Sequence, residues 1–469
     1  MSLALHWFRT DLRLRDNTAL LSAAAEGPVL ALYIATPRQW QQHDDAGIKL
    51  DFWRRNLIAL REDLQALGIP LLFAQVPDYA GIPAFMEKLL PTLKIDSLHC
   101  NAECPVNEIT RDREVKRVCE TLCIRMQIHD DQVLLPPQSI SNKSGEPFKV
   151  FTPWARTVRA RLEETGVKVA GQPVPQACPL DLLPHGCITL EDIEWPVQDP
   201  DWSQRWPAGE ATARQALGNF CRERVSQYDK CRDIPAVDGT SRISHFLASG
   251  VLSIRDCWQQ SAQFQEGTGV STWQNELLWH DFYKHVMWHF PHVCKHRAWR
   301  SDVSHVPWRH DRNEFASWCN GTTGIPIIDA AMAQLRQTGW MHNRLRMITA
   351  MFLTKHLLID WRWGERWFMQ HLIDGDFAAN NGGWQWSAST GTDAAPYFRI
   401  FNPVTQSKRF DPDGNFIRKF LPQLKELDSR SIHEPGILAP ETYPMPIVDL
   451  GFGRERALNA FKTGRDQAL

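Results

Sequence analysis

Leu3-Ala-Leu-His-Trp-Phe8 and Val29-Leu-Ala-Leu-Tyr-Ile34 are two short apolar runs, and the amphipathic stretch Ala19–Ala25 lies between them. The pattern then repeats: Leu71–Ala74 and Ser97–Cys100 read as buried strands, Leu50–Leu67 and Val106–Leu122 as helices. Alternation of this kind is the grammar of a doubly wound parallel sheet, so residues 1–130 are expected to form an α/β domain. The turn after the first run is Arg9-Thr-Asp-Leu-Arg13. It has neither the glycine fingerprint of a dinucleotide site nor a Walker A loop, so a nucleotide in the usual Rossmann manner is not expected there. The crevice at the strand ends stays open to another ligand.

Residues 171–210 hold seven prolines and few periodic apolar positions, which reads as a connection draped over the surface and places an interdomain segment at 131–208. From Gly209 onward strand signals almost vanish and helical periodicity takes over. Pro326 opens one helix and Gly339 closes it. Residues 209–469 are therefore expected to be all-α.

A chain of 469 residues is long enough for two or three domains. Its net charge of −2 hides no basic half, since residues 1–130 carry 15 Lys and Arg against 17 Asp and Glu, and the rest 37 against 37. A nucleic-acid surface would have to be a local patch. The eleven cysteines lack CxxC spacing and read as thiols in a reducing compartment. The N-terminus carries Arg9, Asp11 and Arg13 where a signal peptide needs an apolar stretch, and no run of about 18 apolar residues could span a bilayer. A cytoplasmic protein is expected, with no membrane partner and no metal.

Thirteen of the 20 tryptophans fall between Trp258 and Trp386. The densest stretch is Asp374-Gly-Asp376-Phe-Ala-Ala-Asn380-Asn381-Gly-Gly-Trp384-Gln-Trp386. Two carboxylates, two amides and two indoles suit a polar ligand with a flat ring; a Trp-rich helical core with a polar loop is the plainer alternative. A helix expected to start near Ser271, with a weak Ser271/Gln274 capping box, puts Trp273, Glu276, Trp279, His280 and Tyr283 on one face. A carboxylate among aromatics fits a pocket wall. Asn343 and Met347 share a face beside Arg344 and Arg346, either as a site or as an N-cap and a solvated face. Thr240-Ser-Arg-Ile-Ser244 precedes a helical pattern and suits phosphate, although Ser/Thr caps are common. No Ser-His-Asp, Cys-His or HExxH arrangement is present, so hydrolase chemistry has nothing to rest on.

Taken together, these residues resemble the photolyase/cryptochrome flavoprotein family from Trp7 to about Asp449. The motifs that carry the resemblance are Trp7-Phe-Arg-x-Asp-Leu-Arg-Leu-x-Asp16-Asn17, Gly239-Thr-Ser-Arg-Ile-Ser244, Gly339-Trp-Met-His-Asn343-Arg344, the Asp374–Trp386 stretch and Thr392-Asp-Ala-Ala-Pro-Tyr-Phe-Arg399. The resemblance implies an all-α C-terminal domain that holds FAD, active when reduced. It places Tyr228, Thr240, Ser241, Arg242, Ile243 and Ser244 at the phosphates and ribityl chain, with Trp273, Asp374, Gly375 and Asp376 as further FAD contacts and Asn380 facing the flavin N5. Trp384, Trp361 and Trp308 match the family's electron relay. Asn343 and Met347, where 6-4 photoproduct enzymes carry histidines, together with Glu276, match class I cyclobutane pyrimidine dimer photolyases. Arg232, Glu276, Trp279, His280, Tyr283, Asn343, Arg344, Met347, Trp386 and Gln406 would meet UV-damaged DNA, with Glu276, Asn343 and Asn380 as the reaction's own residues. His280 departs from the arginine that the family often carries, exchanging a fixed charge for a titratable one.

The resemblance further implies a light-harvesting antenna, a 5,10-methenyltetrahydrofolate or a deazaflavin. Asn107, Glu108, Cys294 and Lys295 match the folate contacts; a plain helix N-terminus is the alternative for Asn107 and Glu108. The implied protein is a monomeric DNA-repair lyase. Its rival is a blue-light cryptochrome receptor signalling through a partner, against which the short stretch after the last motif argues.

Overall fold

The computed structural model describes residues 3–179, 184–196, 199–264, 267–303 and 305–466; parts of the proline-rich connection, residues 180–183 and 197–198, lie outside them. The chain divides into two compact units, Met1–Ser226 with Ser241–Pro291, and Gln227–Thr240 with His292–Leu469.

The first unit is built on a five-stranded parallel sheet: β1 Ala4–Phe8, β2 Val29–Ala35, β3 Leu71–Gln75, β4 Ser97–Asn101 and β5 Arg125–His129, in the order β3-β2-β1-β4-β5. The expected α/β fold is present. β1, β2 and β4 are buried along their whole length, as strands covered on both faces must be. Helices α1 Thr18–Glu26, α2 Gly47–Ala66, α3 Ile82–Thr92 and α4 Val106–Thr121 connect them. Asn17 starts α1 by accepting the Leu20 N–H with its side chain. Leu5, Trp7, Leu30, Leu32, Leu72 and Leu98 form the core beside α3 and α4.

Within the stretch read as a connection, α5 Phe151–Thr165 is a regular helix with Phe151, Trp154, Val158 and Leu162 buried. The unit also contains α6, Thr268–His289. Its start corrects the expected capping box. The helix begins at Thr268 with no side-chain cap, and Gln274 donates instead to Ser261 Oγ at 3.2 Å.

The second unit is helical among its described residues. It holds α7 Arg312–Asn320, α8 Pro326–Thr338, α9 Asn343–Met351, α10 Trp361–Met369, α11 Phe377–Ala388 and α12 Leu450–Asp466, besides shorter helices. Pro326 and Gly339 bound α8 as expected, the glycine taking φ 69° at the C-cap. A core of Trp318, Ile328, Leu335, Leu345, Phe352, Trp361, Phe368 and Trp384 runs through α7–α11. Among the described residues no helix is long and apolar enough to cross a membrane.

Candidate functional site

In the first unit the strand order reverses between β1 and β4, where an α/β sheet usually offers its ligand crevice. Here the protein's own charges occupy the carboxyl ends of those strands. Arg9 pairs with Asp112 at 2.8 Å, Arg111 pairs with Glu103 at 2.7 Å, and the two guanidiniums lie against Trp7 at 4.7 and 4.8 Å. Burial opposes ionisation of Glu103, but Arg111 and Arg9 outweigh it and bring its carboxyl down to about 2.

Beside this network α4 carries Asn107, exposed, and Glu108, buried. Asn107 and Gln39 each lie within hydrogen-bond distance of His43 Nε2, at 3.1 and 2.8 Å, and Glu108 Oε1 accepts from the Tyr79 hydroxyl at 3.3 Å. Among the described residues Glu108 Oε2 is buried without a partner, and burial raises this carboxyl above the usual range. An unsatisfied buried carboxyl oxygen costs about 1–3 kcal/mol unless another group meets it.

On α6 the expected face is real but unevenly committed. Trp273 is buried against Phe220 at 5.2 Å. Trp279 stacks on Phe151, centroids 3.7 Å apart and nearly parallel, and touches Tyr283 at 5.6 Å. One face of Trp279 is therefore taken by the protein. Glu276 is half-buried on the same side. His280 Nδ1 lies 3.4 Å from Asp281, while its Nε2 is buried with no partner. The segment Ser241–Ser244 leads only into a five-residue helix, Ser244–Ala248. The phosphate expectation loses most of its helix dipole with that length. What stands out instead is Arg242 at φ 50°, a conformation that non-glycine residues adopt under constraint.

In the second unit, Tyr228 is buried and Arg232 lies over its ring at 5.5 Å. Gly239 is needed for close approach, since a Cβ there would meet the Cys231 backbone oxygen at 2.6 Å. His342, not Asn343, caps α9: its Nδ1 accepts the Arg344 N–H, which leaves Asn343 as an exposed first helical residue. Arg344 is held by Asp233 at 2.8 Å, rests on the Phe410 ring at 4.5 Å and reaches Met347 Sδ at 3.7 Å. Gln406 is half-buried on the helix Pro403–Phe410 that carries Phe410.

Asp374 takes both of its oxygens to Arg346, at 2.9 and 2.7 Å. Asp376 caps α11 by accepting the Ala379 N–H at 2.8 Å. Asn380 donates through Nδ2 to the Glu365 carbonyl at 2.9 Å, and among the described residues no protein donor meets its amide oxygen. Asn381 is buried and donates to Glu365 Oε1 at 2.6 Å. Trp384 is buried against Gly364, where a Cβ would fall 2.0 Å from the indole. Its N–H is buried with no acceptor among the described residues. Trp386 is half-buried. Trp361 shares the core with Trp384, and Trp308 is half-buried against that core and against Phe461 at 5.7 Å. Cys294 is half-buried and Lys295 exposed in the turn Pro291–Lys295.

Phe151, Asp233, Glu365 and Trp318 belong to these surroundings and were not singled out from sequence. Each acts through a partner distant in the chain. A separate cleft of about 250 Å³, lined by Arg54, Ile58, Leu190, Glu191, Ile193 and Trp195, includes none of the residues above.

Residues 4–178 match the family described as DNA photolyase, and residues 273–463 match the FAD binding domain of DNA photolyase. A deoxyribodipyrimidine photo-lyase of Vibrio cholerae is 45% identical over 98% of this chain and 99% of its own length; that of Escherichia coli is 44% identical over 99% of each. The chain belongs to the photolyase/cryptochrome family. Among solved photolyases, the bacterial class III enzyme from Agrobacterium tumefaciens superposes with a TM-score of 0.88 at 34% identity, covering 99% of this chain and 98% of that one. The photolyase FAD domain thus includes Asp374–Trp386, and the residues there fit the cofactor. Among the described residues the Trp384 N–H lacks an acceptor, the Asn380 oxygen has no protein donor, and a Cβ on Gly383 would meet nothing within 4 Å.

Proposed function

We infer that this protein is a light-driven lyase that splits cyclobutane pyrimidine dimers in UV-damaged DNA, of the class I kind. The observation that carries the reading is the full-length likeness to deoxyribodipyrimidine photo-lyases, joined to Asn343 and Met347 on one face of α9. When bound, reduced FAD supplies the photoexcited electron that opens the cyclobutane ring and receives it back.

The chain's own residues do the rest. Tyr228, Thr240, Ser241, Arg242, Ile243 and Ser244 hold the cofactor's phosphates and ribityl chain, and Trp273, Asp374, Gly375 and Asp376 add further contacts. Asn380, with its Nδ2 anchored on Glu365, keeps its oxygen for the flavin N5–H. The lesion has to leave the helix, and dimerised bases stack poorly, so extrusion costs least where it is needed; photolyases are among the handful of enzyme types known for this. Trp386 and the free face of Trp279 stack on the extruded bases, each contact contributing about 1–3 kcal/mol. Glu276 and Asn343 hydrogen-bond the pyrimidine edges beside Tyr283 and Met347. Arg232, His280, Arg344 and Gln406 meet the DNA strand. Trp384, Trp361 and Trp308 relay electrons that reduce oxidised FAD.

Glu108 Oε2 and Asn107 favour a folate antenna, because a pterin edge presents the N–H donors that a lone carboxyl oxygen wants. Cys294 and Lys295 match the family's folate contacts as well. A monomer acting in the cytoplasm suits a substrate read without sequence preference. The test of lesion class offers the reduced protein, under light, one oligonucleotide with a thymine dimer and one with a 6-4 photoproduct. Repair of the first alone supports the reading; repair of the second alone, or of neither, replaces it, the latter with the signalling receptor.

A further inference from the structure

Trp384 meets other aromatic rings inside the helical core. The rings packed against it are Trp318, edge-on with centroids 6.0 Å apart, and Phe368 at 5.0 Å. Trp318 is fully buried, and its N–H donates to the Thr349 carbonyl at 3.2 Å. From Trp318 the contacts continue along α7 to Phe315, stacked at 5.8 Å, and then to α10, where Phe315 meets Trp363 edge-on at 5.1 Å and Trp367 at 6.5 Å. Trp363 and Trp367 are both partly exposed, and Trp363 also touches His310 at 5.8 Å. This line of rings runs from a buried indole to the surface without using Trp361 or Trp308. Trp308 is packed against this core as well as against a second cluster, with Val303, Leu358 and Phe461.

We propose that Trp318 and Trp363 form a second electron route to Trp384, parallel to the one through Trp361 and Trp308. The inference rests on reading Trp384 as the residue that gives an electron to the photoexcited, oxidised flavin. Tunnelling falls off steeply with distance between ring edges, so packed rings carry electrons where isolated ones do not. Indoles lose an electron far more readily than phenyl rings, so Phe315 bridges and Trp318 and Trp363 carry the charge. A positive charge is costly inside an apolar core and cheaper beside water, which drives it outward from Trp318 to Trp363.

The balance closes with a thiol. One electron passes from Trp384 to the flavin, one from Trp318 to Trp384, and one from Trp363 to Trp318. Trp363 then releases its indole proton to water and regains a hydrogen atom from a small thiol in solution. Two of the resulting thiyl radicals join as a disulfide.

The experiment illuminates FAD-loaded, oxidised protein with a small thiol and follows loss of the oxidised-flavin absorbance. It then maps oxygen addition to tryptophan by peptide mass spectrometry. Trp361→Phe is expected to keep part of the wild-type rate and to show light-dependent oxidation at Trp363. Adding Trp318→Phe to it should remove that remainder and that oxidation, down to the level of Trp384→Phe. Trp363→Phe in the same background changes only a half-exposed ring, should also remove the remainder, and keeps the test decisive if the buried substitution unfolds the chain. Trp361→Phe as inert as Trp384→Phe, or a remainder indifferent to both added substitutions, overturns the second route. Trp384→Phe photoreducing like the wild type would instead overturn the relay on which the inference rests.

Discussion

Both carboxylate oxygens of Asp374 are held by one guanidinium nitrogen of Arg346, at 2.9 and 2.7 Å, and Arg346 Nε is itself tied to the Met341 carbonyl at 2.8 Å. The carboxylate is buried and its partner is only partly exposed. Removing the cation leaves a buried charge uncompensated, at a cost of about 2 kcal/mol or more. Arg346→Ala should therefore lower FAD affinity and the thermal midpoint together, whereas Arg346→Lys should restore part of both. Titration of the apoprotein with FAD by flavin fluorescence checks this.

Acid stability has a definite sign at His285. Its Nδ1 accepts the Trp154 indole N–H at 3.2 Å and its Nε2 faces the Leu135 carbonyl at 3.1 Å, which fixes the neutral form. Burial lowers its pKa to about 4. The folded value lies below the unfolded one near 6.5, so the stability is complete above that pH and is lost progressively as pH falls from there toward 4. The loss from this group is at most about 1.4 kcal/mol per pH unit. Unfolding by denaturant across that window should show the decline, and His285→Gln should flatten it.

Trp308 is the half-exposed end of the first relay. Trp308→Phe should slow photoreduction of oxidised FAD far more than it slows dimer repair by chemically reduced enzyme. Equal losses in the two assays would assign Trp308 a structural part only.

The antenna assignment depends on Glu108. Glu108→Ala should empty the folate site while FAD stays bound, read from the pigments released on denaturation. A deazaflavin in the wild-type extract, or unchanged folate in the variant, would contradict it.

How much of this was legible in the sequence follows from how local each signal is. β1–β4 announced themselves as apolar runs. β5, Arg125–His129, is an edge strand with two exposed residues and no such run. Helix α3 was not singled out, and it carries Pro83 and Pro91, a residue type that commonly ends a helix. At α9 the family motif was legible, and the N-cap role open to Asn343 as an alternative is taken by His342, whose imidazole nitrogen accepts the Arg344 N–H. The motif residues of the site stood out; their supports did not. Glu365 beneath Asn380, Asp233 beside Arg344 and Phe151 under Trp279 are long-range contacts, and no spacing rule reaches them. Buried thiols were foreseeable from their apolar settings, and burial pushes Cys119 up to about 11 and Cys100, Cys221 and Cys319 to about 12.

The most direct test of the account is the number of thymine dimers restored per absorbed photon by FAD-reduced protein, with Glu276→Ala beside it. The light-exposed wild type should return the dimer to two thymines on an uncut strand, with no change in the dark. Glu276→Ala should bind damaged DNA in the dark more nearly as the wild type does, yet restore fewer dimers per photon. A dimer untouched by light, or one that disappears equally in darkness, would contradict the reading of this protein as a light-driven lyase.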